Sequence, residues 1–121
     1  GYYDAYYLKA AKVRALVKKE YEEIFEKVDV MIAPVSPVLP FKLGENISDP
    51  LAMYLVDAFT VPVNLAGICG LSVPAGFAEQ DGTKLPVGVQ ILGKQFDEAT
   101  ILRAGHQFQQ ETDWHLEKAE V

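Results

Sequence analysis

The sequence predicts an α/β fold with about three strands. An apolar stripe at helical spacing runs from Tyr6 to Val28. Short, apolar, β-branched runs flank the turn signal Asp81-Gly82. Segments follow in the order helix, strand, loop, buried helix, hairpin, helix, which is a layered arrangement of helices on a sheet.

The first helix rests on Tyr6, Ala10, Val13, Val17, Tyr21, Ile24 and Val28, spaced three or four apart as one helical face. Charges fill its other faces. A strand follows at "VDVMIAP", Val28 to Pro34, and Pro34 stops it. Pro34, Pro37, Pro40 and Pro50 with Gly44 mark a long ordered loop, each proline fixing φ and holding its predecessor extended. Ser48 or Asp49 is expected to cap the next helix, with Pro50 at its first position.

"LAMYLVDAFTVPVNLAG" reads as a helix from Pro50 to Phe59, broken before Pro62, then a short turn ending at Gly67. Its side chains are almost all apolar, which predicts burial around most of the circumference. "GLSVPAGF" and "PVGVQILGK" then form a β-hairpin about Asp81-Gly82. Strands apolar on both faces belong inside a sheet covered by helices. The last helix, Glu98 to Thr112, has Asp97 as N-cap, with Phe96 and Ile101 placed for a hydrophobic staple. So few strands for so much two-sided apolar surface implies either a small domain or a sheet that continues outside these residues.

Composition narrows the function classes. The formal charge of −6 argues against general nucleic-acid affinity. Lys9, Lys12, Arg14, Lys18 and Lys19 read as a solvated helix face balanced by Glu20, Glu22, Glu23 and Glu26. No apolar run reaches the ~20 residues of a membrane span, and the first residues lack the apolar core of a secretory signal. One cysteine and two histidines offer neither an internal disulfide nor a good metal site, so a reducing, cytoplasmic setting is expected.

Candidate chemistry is sparse. Cys69 and Ser72 lie in "AGICGLSVPAG", where the turn precedes the strand, the reverse of a nucleophile elbow. His106 sits within a helix and His115 in the tail, so neither offers Ser72 a base, and no cation adjoins Cys69. Both residues read as structural. The glycines of "LAGICG" match no phosphate-binding fingerprint. Tyr2, Tyr3, Tyr6 and Tyr7 read as packing or interface residues, and Asn64 and Gln90 as amides bonded to backbone. Asp57 stands apart, a carboxylate among Leu55, Val56, Ala58 and Phe59. Burial there is costly without a cation or several donors. From the residues alone an internal salt bridge or cap is slightly favoured, and recognition of a cationic ligand, such as an amino acid's ammonium, is the alternative.

Taken together, "GYYDAYYLKAAKVRALV", "FEKVDVMIAPVSP", "DPLAMYLVDAFTVPVNLAG", "LSVPAGF", "LPVGVQILGKQFDEATILRAGHQFQ" and "TDWH" resemble the C-terminal part of the amidase-signature family. Within it they are most similar to the A subunits of glutamyl-tRNA(Gln)/aspartyl-tRNA(Asn) amidotransferases. The resemblance implies a C-terminal fragment of a mixed β-sheet covered by helices on both faces, as a single unit. It implies a serine nucleophile, a second serine and a lysine relay in a glycine- and serine-rich signature upstream of Gly1. Ser36, Ser48 and Ser72 do not match that signature, so no catalytic residue is expected here and the fragment alone is expected to be inactive.

One functional residue carries across. "MYLVD" matches the segment whose aspartate binds the α-amino group of glutamine, which makes Asp57 the expected substrate-binding residue. The resemblance further implies partner subunits B and C, ATP and Mg²⁺ used by the partner rather than by this chain, and tRNA held mainly by the partner. Relatives usually carry proline at the position of Cys69 and often cysteine at that of Ala75, and the lost proline is expected to loosen a loop. Two rival readings stand beside this one: a stand-alone amidase of the same superfamily, and a non-enzymatic α/β interaction module.

Overall fold

The computed structural model describes residues 1, 3–44 and 50–118. A π-helical turn, Tyr3–Tyr7, leads into α1, Leu8–Phe25. Then come β1 (Val30–Pro34), α2 (Pro50–Leu55), α3 (Val61–Ala66), β2 (Cys69–Gln80), β3 (Thr83–Gly93) and α4 (Glu98–Glu111). The three strands form one antiparallel sheet in the order β1-β3-β2.

The hairpin is built as the turn chemistry demands. Asp81 and Gly82 both take positive φ, 51° and 75°, giving the primed turn whose twist matches the flanking strands. Gln80 pairs with Thr83 and the ladder runs back to Cys69 opposite Gly93. A register shift between Pro74 and Gly76 bends β2. At the bend Gly76 (φ 118°) leaves room for the Trp114 ring, 3.5 Å from where a β-carbon would stand, and Trp114 meets Phe77 edge-on. The "TDWH" tail thereby folds back on β2.

Successive residues of β3 face opposite sides. Ile91 joins Val73 and Ile101 in a core beneath α4. Leu92 joins Phe25 of α1 and Val63 of α3 in a second core. Helices therefore cover both faces, as expected. Where α4 crosses the sheet, Gly105 lets it approach Leu71 and Val73. On α1, Lys19 pairs with Glu23 on the solvated face, as the charge pattern implies, but Arg14 Nε donates to the Leu65 carbonyl at 2.8 Å and Lys18, which pairs with Glu22, also donates to Gln95 Oε1 at 3.2 Å, so these two lie at the packed edge.

Several expectations need correction. The inward face of α1 carries Tyr21 and buried Phe25, whereas Tyr6, Val13, Ile24 and Val28 of the predicted stripe are exposed. The helix predicted to be buried on most sides is exposed: Leu51 is 67 % and Tyr54 80 % accessible, because these residues meet little of the chain's own surface. It also ends at Leu55 instead of Phe59. The staple does not form, since left-handed backbone at Phe96 (φ 63°) leaves its ring 85 % exposed while Ile101 is buried. Asp97 stands at the N-cap position of α4, but its side chain caps no backbone N–H and instead accepts the Thr100 hydroxyl at Oδ1, 2.8 Å away. The predicted caps Ser48 and Asp49 lie outside the described residues, as does Tyr2.

Candidate substrate-binding site

The proline-rich segment after β1 is laid against β3. The Val35 N–H donates to the Gly88 carbonyl at 3.3 Å, extending the ladder past Pro34. Gly88 permits this approach, because a β-carbon there would stand 3.3 Å from Val35 Cγ2. Ser36 Oγ then accepts the Val38 N–H at 3.3 Å. Between this segment and the sheet lies a groove of about 440 Å³, lined by Val35, Ser36, Phe41, Val56, Ser72 and Gly88 among others. A second depression of about 660 Å³ shares Val38 to Phe41 and Val56 and reaches the hairpin turn.

Val56 brings the segment between α2 and α3 to this groove, and Asp57 is its neighbour. Tight i→i−3 bonds from Val56, Asp57 and Ala58 end α2. The Asp57 carbonyl then accepts from Thr60 N–H (3.1 Å), Val61 N–H (3.0 Å) and the Thr60 hydroxyl (3.3 Å). Pro62 sits in the first turn of α3, where a missing N–H costs nothing. The Asn64 amide donates to the Thr60 carbonyl at 2.9 Å, and Gly67 (φ 69°) caps the other end. Asp57 thus belongs to a turn fixed by its own main chain.

Its carboxylate is exposed, not buried as the sequence suggests. Among the described residues no cation pairs with it. The internal salt bridge is therefore absent there, and the carbonyl, not the side chain, does the capping.

Gln90 is the buried polar residue of this region, 6 % exposed. Its Nε2 donates to the Pro34 carbonyl and to the Phe59 carbonyl, both at 2.9 Å. That bears out the sequence reading of Gln90, and Asn64 follows suit. Ser72 lies mid-strand opposite Gln90, not on an elbow, and neither histidine lines its groove. Cys69 starts β2 rather than a loosened loop; its thiol donates to the Lys94 carbonyl at 2.9 Å. Among the described residues no cluster of metal-ligating side chains occurs, and no helix is long and apolar enough to cross a membrane.

The amidase family profile matches residues 1–102. The chain belongs to the amidase family. It is 57 % identical over 119 residues to the glutamyl-tRNA(Gln) amidotransferase A subunit of Geotalea daltonii, covering 98 % of this chain and 24 % of that one. To the protein of the same name from Bacillus velezensis it is 58 % identical over 121 residues, again 24 % of the relative's length. Solved amidase-type structures share the fold. A complex tied to the origins of an s-triazine catabolic enzyme superposes with TM-score 0.79 at 27 % identity, over 94 % of this chain and 26 % of that one. Kluyveromyces lactis allophanate hydrolase gives 0.68 at 29 %, over 81 % and 16 %. This amidase-family chain thus spans about a quarter of the length of its curated relatives.

The groove itself was missed by sequence reasoning. The signal was Gly88, a glycine inside an apolar strand, which marks a close backbone approach.

Proposed function

We propose that this chain is the C-terminal, substrate-binding part of the glutaminase subunit of a tRNA-dependent amidotransferase. The observation that carries the proposal is the 57 % identity over 119 residues to a relative of that name. The longer enzyme hydrolyses glutamine and passes the ammonia to a partner, which converts Glu-tRNA(Gln) to Gln-tRNA(Gln) or Asp-tRNA(Asn) to Asn-tRNA(Asn). It acts as a carbon–nitrogen ligase with glutamine as amido donor. The B subunit uses ATP and Mg²⁺ and holds the tRNA. A small third chain, the C subunit, completes the assembly, and the reaction runs in the cytoplasm.

Within this scheme Asp57 receives the α-ammonium of glutamine. An exposed carboxylate with no paired cation among the described residues, beside a groove, suits that role. The serine nucleophile and its relay lie in the upstream three quarters, so this chain alone is inactive. The same missing portion covers the apolar surface of α2, whose Leu51 and Tyr54 otherwise face water.

The full-length protein with its copurified partners provides the test. Ammonia release from glutamine, with simple amides such as propionamide turned over poorly, is expected. Propionamide preferred over glutamine, with no ATP-using protein copurifying, would mean a stand-alone amidase instead. A folded, monomeric 121-residue gene product with no amidase activity would mean an interaction module.

A further inference from the structure

We propose that Gln90 is a positioning residue for substrate recognition: by clamping two backbone carbonyls it sets where Asp57 stands relative to the groove. The inference rests on the reading of Asp57 as the ammonium-binding residue. Gln90 comes from β3, the central strand of the described sheet, and its side chain is buried. Both donors of one amide are used on separate segments. One bond holds Pro34, where the groove-lining segment leaves β1; the other holds Phe59, two residues after Asp57.

Only an amide donates twice from one nitrogen at this reach while staying neutral. A glutamate would set a carboxylate against two carbonyl oxygens, and a methionine would leave both carbonyls without a donor. The Asp57 turn is rigid within itself through the three bonds to its carbonyl. Local rigidity fixes its shape but not its distance from the sheet. The tie to Phe59 supplies that distance, and the tie to Pro34 references it to the wall of the groove.

A purely structural role predicts equal losses for every substrate. A positioning role predicts a larger loss for substrates that use Asp57. The test compares glutamine with glutaramate, which lacks the α-amino group, in the full-length protein with its partner subunits. Wild type prefers glutamine in kcat/KM, and Asp57→Asn lowers that preference by roughly ten- to a hundredfold. Gln90→Met is expected to lower it about tenfold, with glutaramate turnover falling much less than glutamine turnover. The Asp57→Asn/Gln90→Met double variant loses no more preference than Asp57→Asn alone, because the two act through one contact.

An unchanged glutamine preference in Gln90→Met, with Asp57→Asn impaired, overturns the proposal and leaves the reading of Asp57 intact. Additive losses overturn it equally. An unchanged preference in Asp57→Asn overturns the underlying reading and the proposal with it. Gln90→Asn, which keeps the amide but shortens its reach, serves if the methionine variant is unstable. Loss of folded protein in both variants assigns Gln90 to stability alone and refutes the positioning role.

Discussion

Gly93 gives the most quantitative check on the packing. It ends β3 where α4, β1 and β2 meet, and a β-carbon there would stand 2.6 Å from Ile101 Cγ2 and 3.2 Å from Cys69 Sγ. Neither neighbour yields easily. Ile101 is buried and branched at Cβ, which leaves it one good rotamer in a helix. The Cys69 thiol is bonded to the Lys94 carbonyl at 2.9 Å. Overpacking of this kind costs about 1–3 kcal/mol, offset by the roughly 0.5–1 kcal/mol that alanine gains over glycine in a strand. A 2.6 Å approach puts the overpacking cost at the upper end of that range, so Gly93→Ala should lower local stability by about 2 kcal/mol, roughly a thirtyfold change in the opening equilibrium. Hydrogen exchange of the α4 and β2 amides in the full-length protein reads this directly. Ile101→Leu removes the Cγ2 methyl and keeps the volume, so it should recover part of the loss when combined with Gly93→Ala. Exchange within twofold of wild type in Gly93→Ala, or no relief from Ile101→Leu, would refute the packing argument.

Phe25→Ala should loosen α1 from the sheet, costing about 3–5 kcal/mol for a large side chain deleted from a core, read as accelerated exchange in α1. Gly82→Ala should weaken the hairpin by about 1–2 kcal/mol, because φ of 75° is strained for alanine although nothing crowds its β-carbon; Asp81→Asn should be nearly neutral there. Burial pushes the Tyr21 phenol above its usual range near 10. The folded state then holds that proton more tightly than the unfolded one, so this contribution is intact below pH ~10 and lost as pH rises through the folded value. Tyr21→Phe should flatten the loss of stability above pH ~10 in alkaline unfolding curves.

What the sequence made legible was local. Asp81-Gly82 specifies its turn through backbone preferences of two adjacent residues, and the structure follows it to the residue. Pro50 and Pro62 fall in first helical turns, where proline is tolerated. Gln90 and Asn64 met the general rule that buried or packed amides bond backbone, but which carbonyls Gln90 reaches depends on three segments far apart in the chain. The phase of α1 was misread because Arg14 and Lys18, counted with the solvated charges, sit at its packed edge, where they donate to the Leu65 carbonyl and to Gln95 Oε1. α2 defeated the burial rule for a different reason: an all-round apolar helix requires cover, and its own chain supplies little. The carboxylate of Asp57 drew notice as a charge in an apolar run, and that irregularity lies beside the groove.

The proposed substrate recognition centres on Asp57, and the decisive measurement is the Michaelis constant for glutamine of the full-length Asp57→Ala enzyme. A rise of roughly ten- to a hundredfold, the loss of one charge-assisted contact, is the predicted result. A wild-type constant would contradict the assignment of this turn to substrate recognition.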